Sequence, residues 1–346
     1  MSHLRRFSTG LCALGPIDNE LAFWPSLVAP SFQLEFRPLI RPIENHPTHA
    51  APLPRRFRVA VQPPEIQILA RTQEQADVAA LLLYASHSLI DGCLPTNFTG
   101  WDPYVAEPVQ TKARSSEKTQ QTGMRMQFGS AVDVAGLAVR LARRRPLTDA
   151  AFYFLASVYS VSSHPMDLHP RYGDESITKT LNPMHRVWEA QALFAAYQAI
   201  EALQLTVIGA SSSRPSIRDK TWDPEIRKNL ESRLTKIGIA ENKKFLWLRR
   251  GSPTSLHRQL SLRTSTSNCT SWSQGRIRDE NIPYVDAINR AQWLRSNTSA
   301  HKSSHRLHKL HPIDALNVQH LARMLIMNSA RFPWWQERKP RRAVAR

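Results

Sequence analysis

Residues 291–311, "AQWLRSNTSAHKSSHRLHKLH", bring together side chains that can move protons and hold phosphate. Arg295 stands six positions before His301, and His305, His308 and His311 follow at spacings of four, three and three. The residue types allow a metal site, a nucleic-acid grip, a catalytic pair or a solvated basic loop. On a helix the four histidines would line one face, and metal sites do use histidines four apart. Zinc sites usually add a cysteine or a carboxylate, however. No Asp, Glu or Cys lies between 295 and 313. The expectation is therefore no metal and no cofactor.

Arg295 and His301 need elements to position them. Upstream, "YVDAINRAQWLRS" (284–296) carries apolar residues at Val285, Ile288, Ala291 or Gln292, and Leu294, which predicts a helix ending near Arg295. Ser296, Asn297, Thr298 and Ser299 then favour local hydrogen bonds over helix. Six helical steps would leave Arg295 and His301 about 120° apart around the axis. They converge only if the helix loosens near Asn297 or if two copies of the motif face each other across a two-fold axis. Downstream, "PIDALNVQHLARMLIMNSA" (312–330) predicts another helix, with apolar Leu316, Leu321, Met324 and Leu325.

The rest of the second part of the chain is also helical in pattern. "SAVDVAGLAVRLARRR" (130–145) starts at a serine cap and ends in arginines, which suit the negative end of the helix dipole. "TDAAFYFLASVYSVS" (148–162) is apolar nearly all round, as a buried helix would be. "NPMHRVWEAQALFAAYQAIEALQL" (182–205) has Asn182 as cap and Pro183 as first helical residue. "WDPEIRKNLESRLTKIGI" (222–239) repeats that start with Asp223 and Pro224, carries the stripe Ile226, Leu230, Leu234, Ile237, and stops at Gly238. Residues 1–125 are mixed. "FQLEFRPLI" (32–40) and "FRVAVQ" (57–62) alternate like strands, and "TQEQADVAALLLYASHSLI" (72–90) opens with a capping box from Thr72 to Gln75. The fold expected is mainly α: a mixed α/β N-terminal region (1–125), a helical bundle (126–330) with an inserted loop at about 240–280, and a basic disordered tail (331–346).

The spacing R-x5-H, with a polar residue directly after the arginine and between two helices of an α-bundle, resembles the signature of the HEPN domain family. The resemblance covers about 130–330 and says nothing about 1–125. It implies an HEPN-like bundle with Arg295 and His301 as the catalytic residues of a metal-independent endoribonuclease, in a toxin or defence role and with an antitoxin partner. One motif per chain implies a homodimer whose two copies form the cleft. Ser296 occupies the polar position, where the family most often has Asn, Asp or His. The alternative implied is a non-catalytic nucleic-acid-binding or dimerisation module with a degenerate HEPN fold. The chemistry is self-consistent. An imidazole with a reference pKa of ~6.5 can take a proton from a ribose 2′-hydroxyl or return one to a leaving oxygen. A guanidinium forks onto phosphate oxygens and stabilises the charge that develops there.

Composition bounds the partner. The chain of 346 residues has a formal net charge of +18 and a pI of about 10.4. Such an excess points to a polyanion, here RNA. From Lys302 to Arg346 ten Lys/Arg face only Asp314 and Glu337. Besides Ser296, the residues expected to contact RNA are Trp293, Lys302, His305 and Arg306. Trp222, Trp247, Trp272, Trp334 and Trp335 are further stacking candidates, more often used in cores. His164, Asp167 and His169 in "SSHPMDLHP" suit a structural loop better than a metal site. Glu201 on the 182–205 helix is a candidate partner for an arginine such as Arg295. The three cysteines, Cys12, Cys93 and Cys269, form no C-x-x-C and fit a cytoplasmic setting. The longest apolar run, 78–90, is too short and interrupted for a membrane span.

Overall fold

The computed structural model describes residues 4–13, 27–42, 59–91, 107–108, 125–126, 131–162, 183–249, 259–260, 263–264, 279–298, 310 and 312–332. Helix dominates them: seven helices accompany one sheet and two small strand pairs. The chain divides into two compact units, Met1–Ile90 with Pro95–Arg143 and Asp91–Leu94 with Arg144–Arg346. This division falls later in the chain than the boundary expected near 125.

The first unit holds the sheet. Strands β1 (Arg5–Ala13), β2 (Leu27–Val28), β3 (Phe32–Pro42), β4 (Val59–Ala70) and β5 (Glu107–Pro108) run in the order β2-β3-β4-β1-β5, with neighbours antiparallel. A further strand, β6 (Arg125–Met126), lies parallel to β1. The β3–β4 register pairs Phe32 with Ala70 and Leu34 with Ile68, so the buried side chains share one face. Arg6 and Glu35 meet diagonally across β4 at 3.4 Å. Helix α1 (Gln73–Asp91) starts as the capping box predicts: Thr72 Oγ1 accepts from the Gln75 backbone at 3.2 Å. The return bond comes from one residue earlier than expected, with Arg71 N donating to Gln75 Oε1 at 3.1 Å. Helix α2 (Ala131–Ala142) belongs to this unit.

The second unit is a helical assembly built on α3 (Arg145–Ser162), α4 (Pro183–Ala202) and α7 (Pro312–Ser329), with α5 (Pro224–Lys236) and α6 (Tyr284–Thr298). Helices α3, α4 and α7 pack on one another. A buried polar tie joins all three: Ser157 Oγ donates to the Ala192 carbonyl at 2.7 Å, and Gln319 Nε2 donates to Ser157 Oγ at 2.9 Å. A hydrogen-bonded tie of this kind fixes relative helix register where apolar packing alone would allow sliding. Two strand pairs join the helices: β7 (Ile217–Arg218) with β8 (Thr221–Trp222), and β9 (Lys244–Trp247) with β10 (Glu280–Pro283). β9 thus falls inside the segment expected as an inserted loop, and β10 runs directly into α6. Asn317 of α7 extends β9, accepting from Leu248 N and donating to Leu248 O, each at 2.8 Å.

Candidate functional site

Helix α6 carries Arg295, and its position is fixed by polar ties along its length. Near its start, the Trp222 indole donates to Asp286 Oδ1 at 2.6 Å, and Ser216 Oγ donates to Asn289 Oδ1 at 2.8 Å. These two bonds fasten the β7–β8 region to α6. Next comes Arg290, which is fully buried. Its Nη2 lies 2.9 Å from Glu280 Oε2, and Arg249 Nη2 lies 3.1 Å from the same oxygen. Arg290 also stacks over Trp247, 5.6 Å from the ring centroid. Two guanidinium groups thus share one carboxylate. Because Glu280 belongs to β10 and Arg290 to α6, the pair pins the strand to the helix that follows it. Arg290 Nε and Nη1 are buried with no hydrogen-bond partner among the described residues. The aromatic face and the shared carboxylate must offset that cost.

The last turn of α6 presents the candidate site. Gln292 Oε1 accepts from the Tyr197 hydroxyl at 3.0 Å and from the Val207 backbone N–H at 3.0 Å. One turn on, Arg295 extends toward α4. Its guanidinium lies 5.6 Å from the Phe194 ring and 5.8 Å from the Tyr197 ring. Its Nη2 is 4.0 Å from Glu201 Oε1, with the two side chains 31% and 41% exposed. That separation is an ion pair beyond hydrogen-bond length. Burial raises the Tyr197 hydroxyl above the usual phenol value; the Glu201 carboxylate adds to the shift and Arg295 opposes it. Tyr197 therefore stays protonated and can donate to Gln292.

The arrangement follows from helical periodicity. Phe194, Tyr197 and Glu201 fall at i, i+3 and i+7 on α4, and Gln292 and Arg295 at i and i+3 on α6, so each set shares a face. At the helix end, Asn297 Nδ2 donates to Trp293 O at 2.8 Å and Thr298 Oγ1 donates to Leu294 O at 2.6 Å. Both are side chains bonding back to the carbonyl four residues earlier on the same helix. The helix continues through Thr298, so it does not loosen at Asn297.

Of the residues expected to act, Arg295 and Glu201 come together, which is the pairing anticipated for Glu201. Ser296 is exposed and Trp293 half-buried beside them. His301, Lys302, His305 and Arg306 lie outside the described residues, as do the remaining histidines of the run and the 163–182 loop with His164, Asp167 and His169. Trp222 and Trp247 are buried in the helical unit and cannot stack bases; Trp272, Trp334 and Trp335 lie outside the described residues. Leu321, Met324 and Leu325 of α7 are buried as expected, whereas Leu316 is only half-buried.

Sequence reasoning missed Tyr197 and Gln292, although their spacing from Glu201 and Arg295 was a usable signal. It also missed the Arg249–Glu280–Arg290 cluster, whose members are scattered along the chain. A pair of carboxylates was missed too: Glu189 of α4 and Asp314 of α7 interact, and Glu189 is pushed up to about 8 by burial first and by Asp314 second, with Arg186 opposing. Among the described residues, no group of three or more His, Cys, Asp or Glu could hold a metal ion. Among them, too, no helix is long and apolar enough to cross a membrane. Comparison with known proteins returns no matching family model, no matching curated protein and no matching solved structure.

Proposed function

We propose that the helical unit is an HEPN-like, metal-independent endoribonuclease domain in a cytoplasmic protein, with Arg295 as the phosphate-binding residue and His301 as the proton-transfer residue. The observation that carries this reading is the setting of Arg295. Its guanidinium lies near two aromatic rings at the end of α6, is partly exposed, and has its Nη2 4.0 Å from Glu201 Oε1. A partly exposed guanidinium can fork onto two phosphate oxygens. His301 follows three residues after the helix ends. In the proposed reaction one imidazole takes the 2′-hydroxyl proton. The 2′-oxygen bonds to phosphorus, the bond from phosphorus to the 5′-oxygen breaks, and a second imidazole returns a proton to that 5′-oxygen. The products are a 2′,3′-cyclic phosphate and a 5′-hydroxyl. Two imidazoles imply two copies of the chain about one cleft, hence a homodimer. A toxin or defence role with an antitoxin partner belongs to the same proposal.

The second reading is a nucleic-acid-binding or dimerisation module that no longer cleaves. It is favoured by the contacts of Arg295 itself, because Glu201 and two rings are sufficient reason for a structural arginine there. End-labelled RNA incubated with the purified full chain in EDTA separates the two. Cleavage by the wild type to 2′,3′-cyclic phosphate ends, lost in His301→Ala, supports the nuclease. No cleavage, or equal cleavage by both proteins, leaves the binding module.

A further inference from the structure

The β7–β8 hairpin carries a residue that its backbone does not favour. Its register pairs Ile217 with Trp222 and Arg218 with Thr221, leaving Asp219 and Lys220 as a two-residue turn. Ile217 and Trp222 are buried. Successive strand residues face opposite ways, so Arg218 and Thr221 point outward, and both are exposed. Asp219 and Lys220, also exposed, have φ of +49° and +62°. Positive φ at both central positions is the signature of a type I′ turn, whose usual residues are Asn or Asp followed by Gly. Asp219 follows that rule. Lys220 stands where glycine would adopt the same backbone without strain. A side chain kept at a strained position points to a use for that side chain. The hairpin is also braced. At its base the Trp222 indole donates to Asp286 Oδ1 at 2.6 Å and Ser216 Oγ donates to Asn289 Oδ1 at 2.8 Å, both on α6. Asp223 N donates to Ser216 O at 2.9 Å and closes the ribbon below the Ile217–Trp222 pair. Arg214, just before the hairpin, is engaged by Asp223 and Glu225.

We infer that the tip of the β7–β8 hairpin is an interaction surface for the phosphate backbone of RNA, contacted by Arg218 and Lys220. The net charge of +18 favours a polyanion as partner. A braced ribbon has little backbone freedom to lose on binding, so only the two side chains need ordering. The acid in the turn, Asp219, is accounted for by the turn geometry itself. Phosphate contacts of this kind position a nucleic acid without reading its sequence. The surface presupposes RNA as the partner, as proposed above, but nothing about Arg295. Arg295 lies toward the other end of α6, roughly 120° or more around the helix axis from Asn289 and Asp286.

The test is the affinity of the full chain for a fluorescein-labelled, mixed-sequence single-stranded RNA in EDTA, measured across a range of salt, with melting temperatures taken in parallel. Lys220→Gly removes the ammonium and relieves the backbone. It is expected to melt at or above the wild-type temperature while binding RNA roughly two- to five-fold more weakly, the range set by the energy of an exposed ion pair. The slope of log affinity against log salt should flatten by about 0.7, the share of one phosphate contact on a single strand. Arg218→Ala should flatten it by a similar amount, and the double variant by about twice as much. A lower melting temperature for Lys220→Gly with unchanged affinity would mark a lysine that serves the fold, and would overturn the inference. Unchanged affinity and slope in both single variants, with RNA bound by the wild type, overturns the hairpin surface and leaves RNA as the partner. The same result joined to lost binding of vesicles of equal parts phosphatidylcholine and phosphatidylserine would assign the hairpin to a membrane instead. No RNA binding by the wild type overturns the partner itself.

Discussion

A buried carboxyl group reports its surroundings through its protonation, and Glu189 is the clearest case in this protein. It sits on α4 with burial and Asp314 pushing its pKa up to about 8, partly opposed by Arg186. In the unfolded chain the same group titrates near the usual glutamate value of ~4.3. A folded pKa above the unfolded one means that the native state binds the proton more tightly. The stability this contributes is complete below the unfolded pKa and is lost as pH rises through about 8. Glu189→Gln mimics the protonated form. It should raise the melting temperature at pH values above about 8 and leave it nearly unchanged near pH 4. An equal shift at both pH values would place Glu189 in an ordinary solvated environment. Nothing in the sequence marks Glu189, because Asp314 reaches it only through the packing of α4 on α7. Glu201 was legible for the opposite reason. It lies near the end of a strongly patterned helix, where a carboxylate meets whatever cation the neighbouring helix brings. The guanidinium cluster at Glu280 was hidden, since Arg249 and Arg290 belong to elements joined only by folding.

At the scale of the element, α5 shows what local sequence can specify. Asp223 accepts from the backbone N–H groups of Glu225 and Ile226 at 3.1 and 3.2 Å, as an N-cap should. Arg214 adds a forked pair to the same carboxylate, with Nε and Nη2 each at 2.9 Å. The Arg214 bond and then the Ile226 N–H hold Asp223 down to about 2. At the other end Gly238, at φ +84°, closes a Schellman motif in which Gly238 N and Ile239 N donate to Thr235 O and Leu234 O. Ile226, Leu230 and Leu234 are buried along one stripe. Cap, stripe and stop were all readable in "WDPEIRKNLESRLTKIGI", because each uses residues within one turn of the place where it acts. Asp223→Ala removes two capping bonds and the Arg214 pair together, so it should lower the melting temperature at neutral pH. Gly238→Ala should do so as well, through the strained positive φ. The Asp223→Ala loss should shrink as pH falls toward about 2, where the wild-type carboxylate is itself protonated and its contribution is gone. A loss that persists undiminished at that pH would show that the cap's charge is unimportant. The strands were less legible. β1 lies in a stretch without clear alternation, and β9 and β10 are short and pair across more than thirty intervening residues. Their pairing depends on contacts that no local pattern announces.

Across the whole molecule, the charge of +18 raises the concentration of any polyanion at the surface without choosing where it binds. Choice requires a site, and Arg295 is a partly exposed cation that the fold orients beside two rings. The mainly helical class was legible because helical periodicity is a local signal, and the α3-to-α7 order follows the predicted segments closely. The division between the two units was not, because α2 carries the same apolar pattern as the helices that follow it and only its packing assigns it to the sheet unit. The account turns on whether the fork of Arg295, and not its charge alone, acts on RNA. The most direct measurement is the single-turnover cleavage rate of the full-length protein in EDTA, compared between wild type and Arg295→Lys. Lysine keeps the positive charge and the general attraction to RNA but cannot span two phosphate oxygens. The account predicts cleavage slowed by on the order of a hundred-fold, the scale of losing one preorganised donor to the transition state. Equal cleavage by the two proteins, or none by the wild type, would contradict it.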